Sequence, residues 1–344
     1  MRPAQTQSLN TSNLDDWIRA VKLGDRRALA RAITQAESTR PDHRATALDI
    51  LETLLPQTGQ TIRVGISGIP GVGKSTFIEA LGNHVVSRGH RLAVLAVDPS
   101  SSRTGGSILG DKTRMETLTQ NPEVFIRPSP AAGSLGGVAR RTREAMLLCE
   151  ASGFNFIIVE TVGVGQSETA VADMVDLLLL LLPPAGGDEL QGIKKGIVES
   201  ADLFVVNKAD GDLKAAARHS AADYRSALHF LRPANPSWSP PVLTCSALRN
   251  EGVEAVYQSI MSYVHIMTDP HAAGNQPTTS FESKRADQAR AWMWSEIGDS
   301  LTDTLRSDRQ VNALLPDLEH RVQQREISPG RAAQQILAVF LGKN

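Results

Sequence analysis

The residues of this chain best suited to chemistry by type and spacing are Gly68-Ile69-Pro70-Gly71-Val72-Gly73-Lys74-Ser75-Thr76. They follow an apolar run, Ile62 to Ile66, and precede Phe77-Ile78-Glu79-Ala80-Leu81. A buried strand, a glycine-rich turn and a helix start in that order are the setting of a phosphate-binding P-loop. Glycine lets the backbone curl until successive N–H groups converge on a phosphate, where a side chain would clash or forbid the dihedrals. Gly68, Pro70, Gly71, Val72, Gly73 and Thr76 form that cradle. The Lys74 ammonium reaches the β- and γ-phosphates, the Ser75 hydroxyl ligates the magnesium that bridges them, and the positive end of the helix adds its field.

A second constellation, Asn207-Lys208-Ala209-Asp210, selects the base. A carboxylate at Asp210 accepts hydrogen bonds from guanine N1–H and its exocyclic amine, whereas adenine presents the wrong pattern and leaves groups unpaired. Asn207 braces the loops and the Lys208 stem covers the base face. Ser246, Ala247 and Leu248 complete the base site, with the Ser246-Ala247 backbone facing the guanine carbonyl oxygen. Glu160-Thr161-Val162-Gly163-Val164-Gly165-Gln166 brings Gly163 toward the γ-phosphate and Glu160 toward magnesium, as in a loop ordered by the terminal phosphate. Gln166 suits either a water-positioning or a structural role. Asp98 and Asp111 each suit either the metal region, because magnesium prefers oxygen ligands, or a helix cap. Arg140, Arg141 and Arg143 read as a solvated helix face, with binding of an acidic partner as the other use of such a cluster. Gly186-Gly187-Asp188-Glu189-Leu190-Gln191-Gly192-Ile193-Lys194-Lys195-Gly196 concentrates glycine and charge at a strand exit and is a candidate third switch.

The elements that must hold these residues are legible as alternating apolar strands and crossover-length helices. Strands are expected at Ile62 to Ile66, Arg91 to Val97, Val124 to Ile126, Phe156 to Val159, Leu177 to Leu182, Leu203 to Val206 and Pro241 to Cys245. Continuous apolar runs of this kind imply an α/β fold, a P-loop NTPase with a mainly parallel central sheet flanked by helices. Ligands then sit beyond the carboxyl ends of the strands, where the polar motifs fall. Helical periodicity before and after this region predicts an N-terminal helical extension over 1–58, a P-loop domain over 59–270 and a C-terminal helical arm over 271–344. Trp292 and Trp294 lie in that arm and suit an interface or internal packing equally. Six leucines, Leu177 to Leu182, fall far short of the roughly 20 residues a membrane span needs. With 36 basic and 37 acidic residues, no global field directs the chain to nucleic acid or membrane. Two cysteines in apolar segments, Cys149 and Cys245, point to reduced buried thiols and a cytoplasmic setting.

Taken together, these motifs resemble the methylmalonyl-CoA mutase-associated GTPase family, formerly described as lysine/arginine/ornithine transport ATPases or kinases. The resemblance rests on Gly68 to Thr76, Val97-Asp98-Pro99-Ser100-Ser101, Gly110-Asp111-Lys112-Thr113-Arg114-Met115, Glu160 to Gln166 and Asn207 to Asp210, and it covers nearly the whole chain. It implies GTP/GDP and Mg2+ as ligands, Ser75, Asp98, Asp111 and Glu160 in the metal and switch region, and Lys194 in the third switch. With Lys74 and Gly163, Glu160 and Lys194 then form the catalytic set. It also implies a partner, an adenosylcobalamin-dependent acyl-CoA mutase with a possible adenosyltransferase, and a homodimer built with the C-terminal helices. Two other readings fit a P-loop. One is a kinase for a small amine or transport protein, against which Asn207 and Asp210 weigh. The other is an accessory GTPase for nickel insertion, against which the lack of a His-rich tail or Cys/His cluster weighs.

Overall fold

Every leucine of Leu177–Leu182 is buried, because this strand has helices on both of its faces. It is β5 of a sheet whose other strands are β1 (Ile62–Gly68), β2 (Leu92–Val97), β3 (Val124–Arg127), β4 (Phe156–Thr161), β6 (Leu203–Val206) and β7 (Val242–Thr244). All six neighbouring pairs are parallel, in the order β3-β2-β4-β1-β5-β6-β7. The computed structural model describes residues 14–97, 115–128, 135–161, 167–184, 195–228, 235, 237–269 and 280–342. Each strand expected from the sequence is present.

Alternation along the strands sorts side chains between two helical layers. Val64, Ile66, Phe156, Ile158, Leu179 and Leu181 join one core with α4 (Lys74–Ser87), which follows α1 (Leu14–Lys22), α2 (Arg26–Glu37) and α3 (Pro41–Leu54) in the chain. Phe77, Ile78, Leu81 and Val85 of α4 are fully buried, each contributing about 1.5–3 kcal/mol. The opposite face is covered by α6 (Leu135–Ala151), which comes after the short α5 (Glu116–Gln120), and by α7 (Ser167–Ala172). A Cβ at Gly65 would lie 2.9 Å from Val171 and 3.0 Å from Val175, so only glycine lets the chain around α7 approach β1 this closely. Further helices are α8 (Lys195–Ser200), α9 (Lys214–Leu228), α10 (Val253–Thr268), α11 (Phe281–Ser307), α12 (Arg309–Gln323) and α13 (Pro329–Phe340).

Helices α2 and α3 pack on α6. This changes the reading of the arginines at 140–143. Arg141 is only 9% exposed, and its pKa is lowered by burial and then by neighbouring Arg140, so this stretch is not a solvated face. The sequence spacing could not show that the N-terminal helices cover it. Arg44 reaches Glu144 at 3.4 Å and Arg127 pairs with Glu37, which ties the extension to α6 and the edge strand β3.

The chain divides into two compact units, Met1–Gln288 and Ala289–Asn344. In the first, the start of α11 is held at the amino ends of the strands by a buried carboxylate. Asp176 accepts from Arg285 at 2.6 and 2.8 Å and from the Arg63 N–H at 2.9 Å, while Lys284 donates to its carbonyl oxygen at 2.6 Å. Arg285 also donates to the carbonyls of Gly59 and Thr61, and a second buried pair, Arg63 with Glu150 at 2.6 Å, lies alongside. In the second unit α12 and α13 pack together, capped by Asp308 and Ser328 and burying Val311, Leu318 and Ala332. Met293, Trp294 and Leu301 of α11 are 52%, 65% and 57% exposed, so Trp294 is not an internal anchor of this unit. Among the described residues, no helix is long and apolar enough to cross a membrane.

Both cysteines are free and buried. Burial pushes the Cys149 thiol far up and the Cys245 thiol up to about 12, so almost no thiolate forms at pH 8. Thiol-reactive reagents at that pH should label neither cysteine until the protein unfolds, and rapid labelling of the native protein would contradict this burial. Removing Arg285 strands a carboxylate whose side chain is 0% exposed. Arg285→Ala should therefore cost about 3–5 kcal/mol in urea unfolding, and a loss below about 1 kcal/mol would show that the cluster does not anchor α11.

Candidate functional site

The order of the sheet reverses around β1. The chain leaves β1 for β2 on one side, and β4 crosses to β5 on the other. The carboxyl end of β1 is thus the crevice where open α/β sheets take ligands, and it carries Gly68 to Thr76. Gly68 is buried, and a Cβ there would stand 2.6 Å from the Leu181 carbonyl oxygen. Gly73 has φ +94°, in the left-handed region, and a Cβ would meet the Asn207 amide nitrogen at 2.9 Å. Helix α4 starts immediately afterwards with no side chain capping it, so the N–H groups of its first turn and the positive end of its dipole face an anion site. Lys74 arches back over the loop and donates to Gly68 O at 2.8 Å and Ile69 O at 3.3 Å.

The base-selecting residues converge on the same loop from β6 and β7. Asn207, 2% exposed, donates to Val72 O at 3.0 Å and accepts from Ala247 N at 3.2 Å. Lys208 sits at φ 57° and donates to Gly71 O at 2.7 Å, which lays its stem between the two loops. Ser246 donates to Asp210 Oδ1 at 2.7 Å, and its hydroxyl accepts from Arg249 N at 3.1 Å. A backbone bridge between Ser246 and Glu251 makes the loop after β7 a closed turn. Leu248 is 76% exposed at its rim. Beside this assembly a cavity of about 530 Å3 is lined by Thr76, Ala80, Asn83, Ala247 and Leu248 among others.

Glu160, 4% exposed, is the penultimate residue of β4 and lies opposite Ile66. Ile158, two residues earlier, joins the core shared with α4, so alternation puts Glu160 on the same face, the one over which α4 and its Ser75 lie. A hydroxyl and a buried carboxylate are the hard oxygen donors that magnesium prefers, and their placement beside the phosphate loop fits such an ion. Asp98, Asp111, Gly163 and Lys194 lie outside the described residues, as does Gln166. The structure therefore unites Gly68, Pro70, Gly71, Val72, Gly73, Lys74, Ser75 and Thr76 with Asn207, Lys208, Asp210, Ser246, Ala247 and Leu248, and brings up Glu160. Sequence reasoning missed Ser67 and Thr161, whose buried hydroxyls meet at 3.0 Å directly below the loop. The available signal was a hydroxyl residue near the carboxyl end of each of two mainly apolar strands.

The family described as "Methylmalonyl Co-A mutase-associated GTPase MeaB" matches residues 29–310. A Caulobacter vibrioides protein assigned as a GTPase is 55% identical over 328 residues, covering 95% of this chain and 98% of the relative. The mouse mitochondrial methylmalonic aciduria type A homolog is 46% identical over 331 residues, covering 93% and 78%. The crystal structure of a LAO/AO transport system kinase superposes with a TM-score of 0.74 at 36% identity, covering 97% of this chain and 100% of that one.

Because Asn207 satisfies one group on each of two loops, Asn207→Ala leaves Val72 O and Ala247 N unpaired. GTP and GDP affinities should fall together, by about 5- to 100-fold in equilibrium titration. A selective loss of GTP alone would show that Asn207 acts on the γ-phosphate instead.

Proposed function

The chain belongs to the methylmalonyl-CoA mutase-associated GTPase family, and on that premise we propose that it uses GTP binding and hydrolysis to protect, load or reactivate an adenosylcobalamin-dependent acyl-CoA mutase, methylmalonyl-CoA mutase first among them. As a family member it is a GTPase, and membership implies guanine nucleotide and magnesium as its ligands. The observation that carries the reading is Asn207, whose one carboxamide joins the phosphate loop to the guanine loop and so makes them a single site. The partner assignment draws support from the family description and from the mouse relative named for methylmalonic aciduria.

In this reading Asp210, steadied by Ser246, accepts from guanine N1–H and the exocyclic amine. The Lys208 stem covers the base, and the amides of Gly68 to Thr76 hold the phosphates. Ser75 and Glu160, with Asp98 and Asp111, would hold magnesium, which when bound offsets charge on the transferring phosphoryl group. Lys74 releases its loop carbonyls to meet the β- and γ-phosphates. Gly163 presents its N–H to the γ-phosphate. Hydrolysis by water yields GDP and phosphate, with the loop amides and Lys74 stabilising charge on the phosphoryl oxygens. The sequence motifs assign neither a general base nor an arginine finger, so hydrolysis is slow alone and rises when the mutase supplies positioning through the segment containing Lys194. The exposed apolar face of Met293, Trp294 and Leu301 supports a homodimer through the C-terminal helices. An adenosyltransferase is a further candidate partner.

Titration with magnesium should give GTP at least about a hundredfold tighter than ATP, and Asp210→Asn should erase most of that preference. Equal binding of ATP and GTP by the unmodified protein would defeat the guanine assignment. Added to purified methylmalonyl-CoA mutase, the protein should show faster GTP hydrolysis. Unchanged hydrolysis with every adenosylcobalamin-dependent acyl-CoA mutase tested would defeat the partner assignment.

A further inference from the structure

A hydroxyl inside an apolar sheet is costly unless it finds a partner, so two buried hydroxyls that find each other mark a position worth explaining. Ser67 and Thr161 are both 0% exposed, and the Thr161 hydroxyl donates to Ser67 Oγ at 3.0 Å. Ser67 immediately precedes Gly68, where the phosphate loop begins. Thr161 immediately follows Glu160. β1 and β4 are registered up to the pair Ile66 and Glu160, and the hydroxyl bond extends that pairing one residue further. It does so on the face where Gly65 meets Val171, which leaves Glu160 on the opposite face with α4 and Ser75.

Packing alone does not call for hydroxyls here. Valine matches threonine in shape, and β-branched and small residues suit a buried parallel strand. What the hydroxyl pair adds is direction. A hydrogen bond between side chains fixes the rotation and height of Thr161 against the base of the phosphate loop, whereas two methyl groups in contact would tolerate sliding. We propose that the Ser67–Thr161 pair is a positioning contact that holds Glu160 in register with the phosphate loop for magnesium-dependent use of GTP. This rests on the reading of Glu160 given above. Neither hydroxyl is a catalytic residue, because each acts through Glu160.

The experiment compares Thr161→Val, Ser67→Ala, the double variant and Thr161→Ser, with Glu160→Gln as the reference, after thermal melts show each to be folded. Two quantities are read: the magnesium concentration for half-maximal GTP binding, and GDP affinity in EDTA. Thr161→Val and Ser67→Ala should each raise the magnesium midpoint about three- to tenfold and leave magnesium-free GDP affinity unchanged. The double variant should be no worse than the more affected single variant, and Thr161→Ser should stay near the unmodified protein. An unchanged midpoint in both single variants, alongside a large shift in Glu160→Gln, would overturn the proposal while leaving the Glu160 reading intact. Equal losses with and without magnesium would overturn it in favour of a general packing role. If Glu160→Gln itself leaves the midpoint unchanged in a protein that still hydrolyses GTP, the Glu160 reading fails and the proposal fails with it.

Discussion

One buried carboxamide holds the site together. Asn207 is nearly excluded from water, so both of its polar ends need protein partners, and it finds Val72 O on one loop and Ala247 N on another. Three segments distant in sequence, following β1, β6 and β7, are thereby fixed relative to one another. Everything the site does with a nucleotide depends on this geometry, because a phosphate cradle and a base reader are useful together only at a set separation. The glycine at 73 belongs to the same constraint. A side chain there would occupy the space of the Asn207 amide, and the backbone has already turned into a conformation that glycine tolerates.

The opposite end of the sheet is organised by charge. Asp176 and Glu150 are buried carboxylates paired with Arg285 and Arg63, and they sit where the strands begin. Such pairs are weak sources of net stability but demanding ones, since losing one partner leaves an uncompensated charge in a dry interior. Their effect here is to make the first turns of α11 an integral part of the sheet-bearing unit. Strand β5 follows directly from Asp176, so one rigid element runs from this anchor to the carboxyl end of the sheet beside the phosphate loop.

Much of this architecture could be read from residue order. The apolar runs gave all the strands, because a parallel strand buried on both faces has no need of polar alternation, and Leu177 to Leu182 is the plainest case. The phosphate loop was legible because glycine, lysine and serine at that spacing have few other uses between a strand and a helix. Arg141 was misread for a complementary reason. Its neighbours in sequence are polar, and what buries it is a pair of helices formed roughly a hundred residues earlier in the chain, which no local pattern encodes.

Residue types alone determined the parts of the site whose chemistry is local: the cradle of Gly68 to Thr76, the carboxylate of Asp210 and the carboxylate of Glu160 near the end of β4. Only the tertiary structure decided how these parts are joined. The link from Asn207 to both loops, the Lys208 bond to Gly71, the Ser246 support of Asp210 and the Ser67–Thr161 pair all connect residues far apart in the chain. The physical reason is that a hydrogen bond depends on distance and direction in space, and chain order specifies neither until the sheet order β4-β1-β5-β6-β7 has brought the carboxyl ends of those strands side by side.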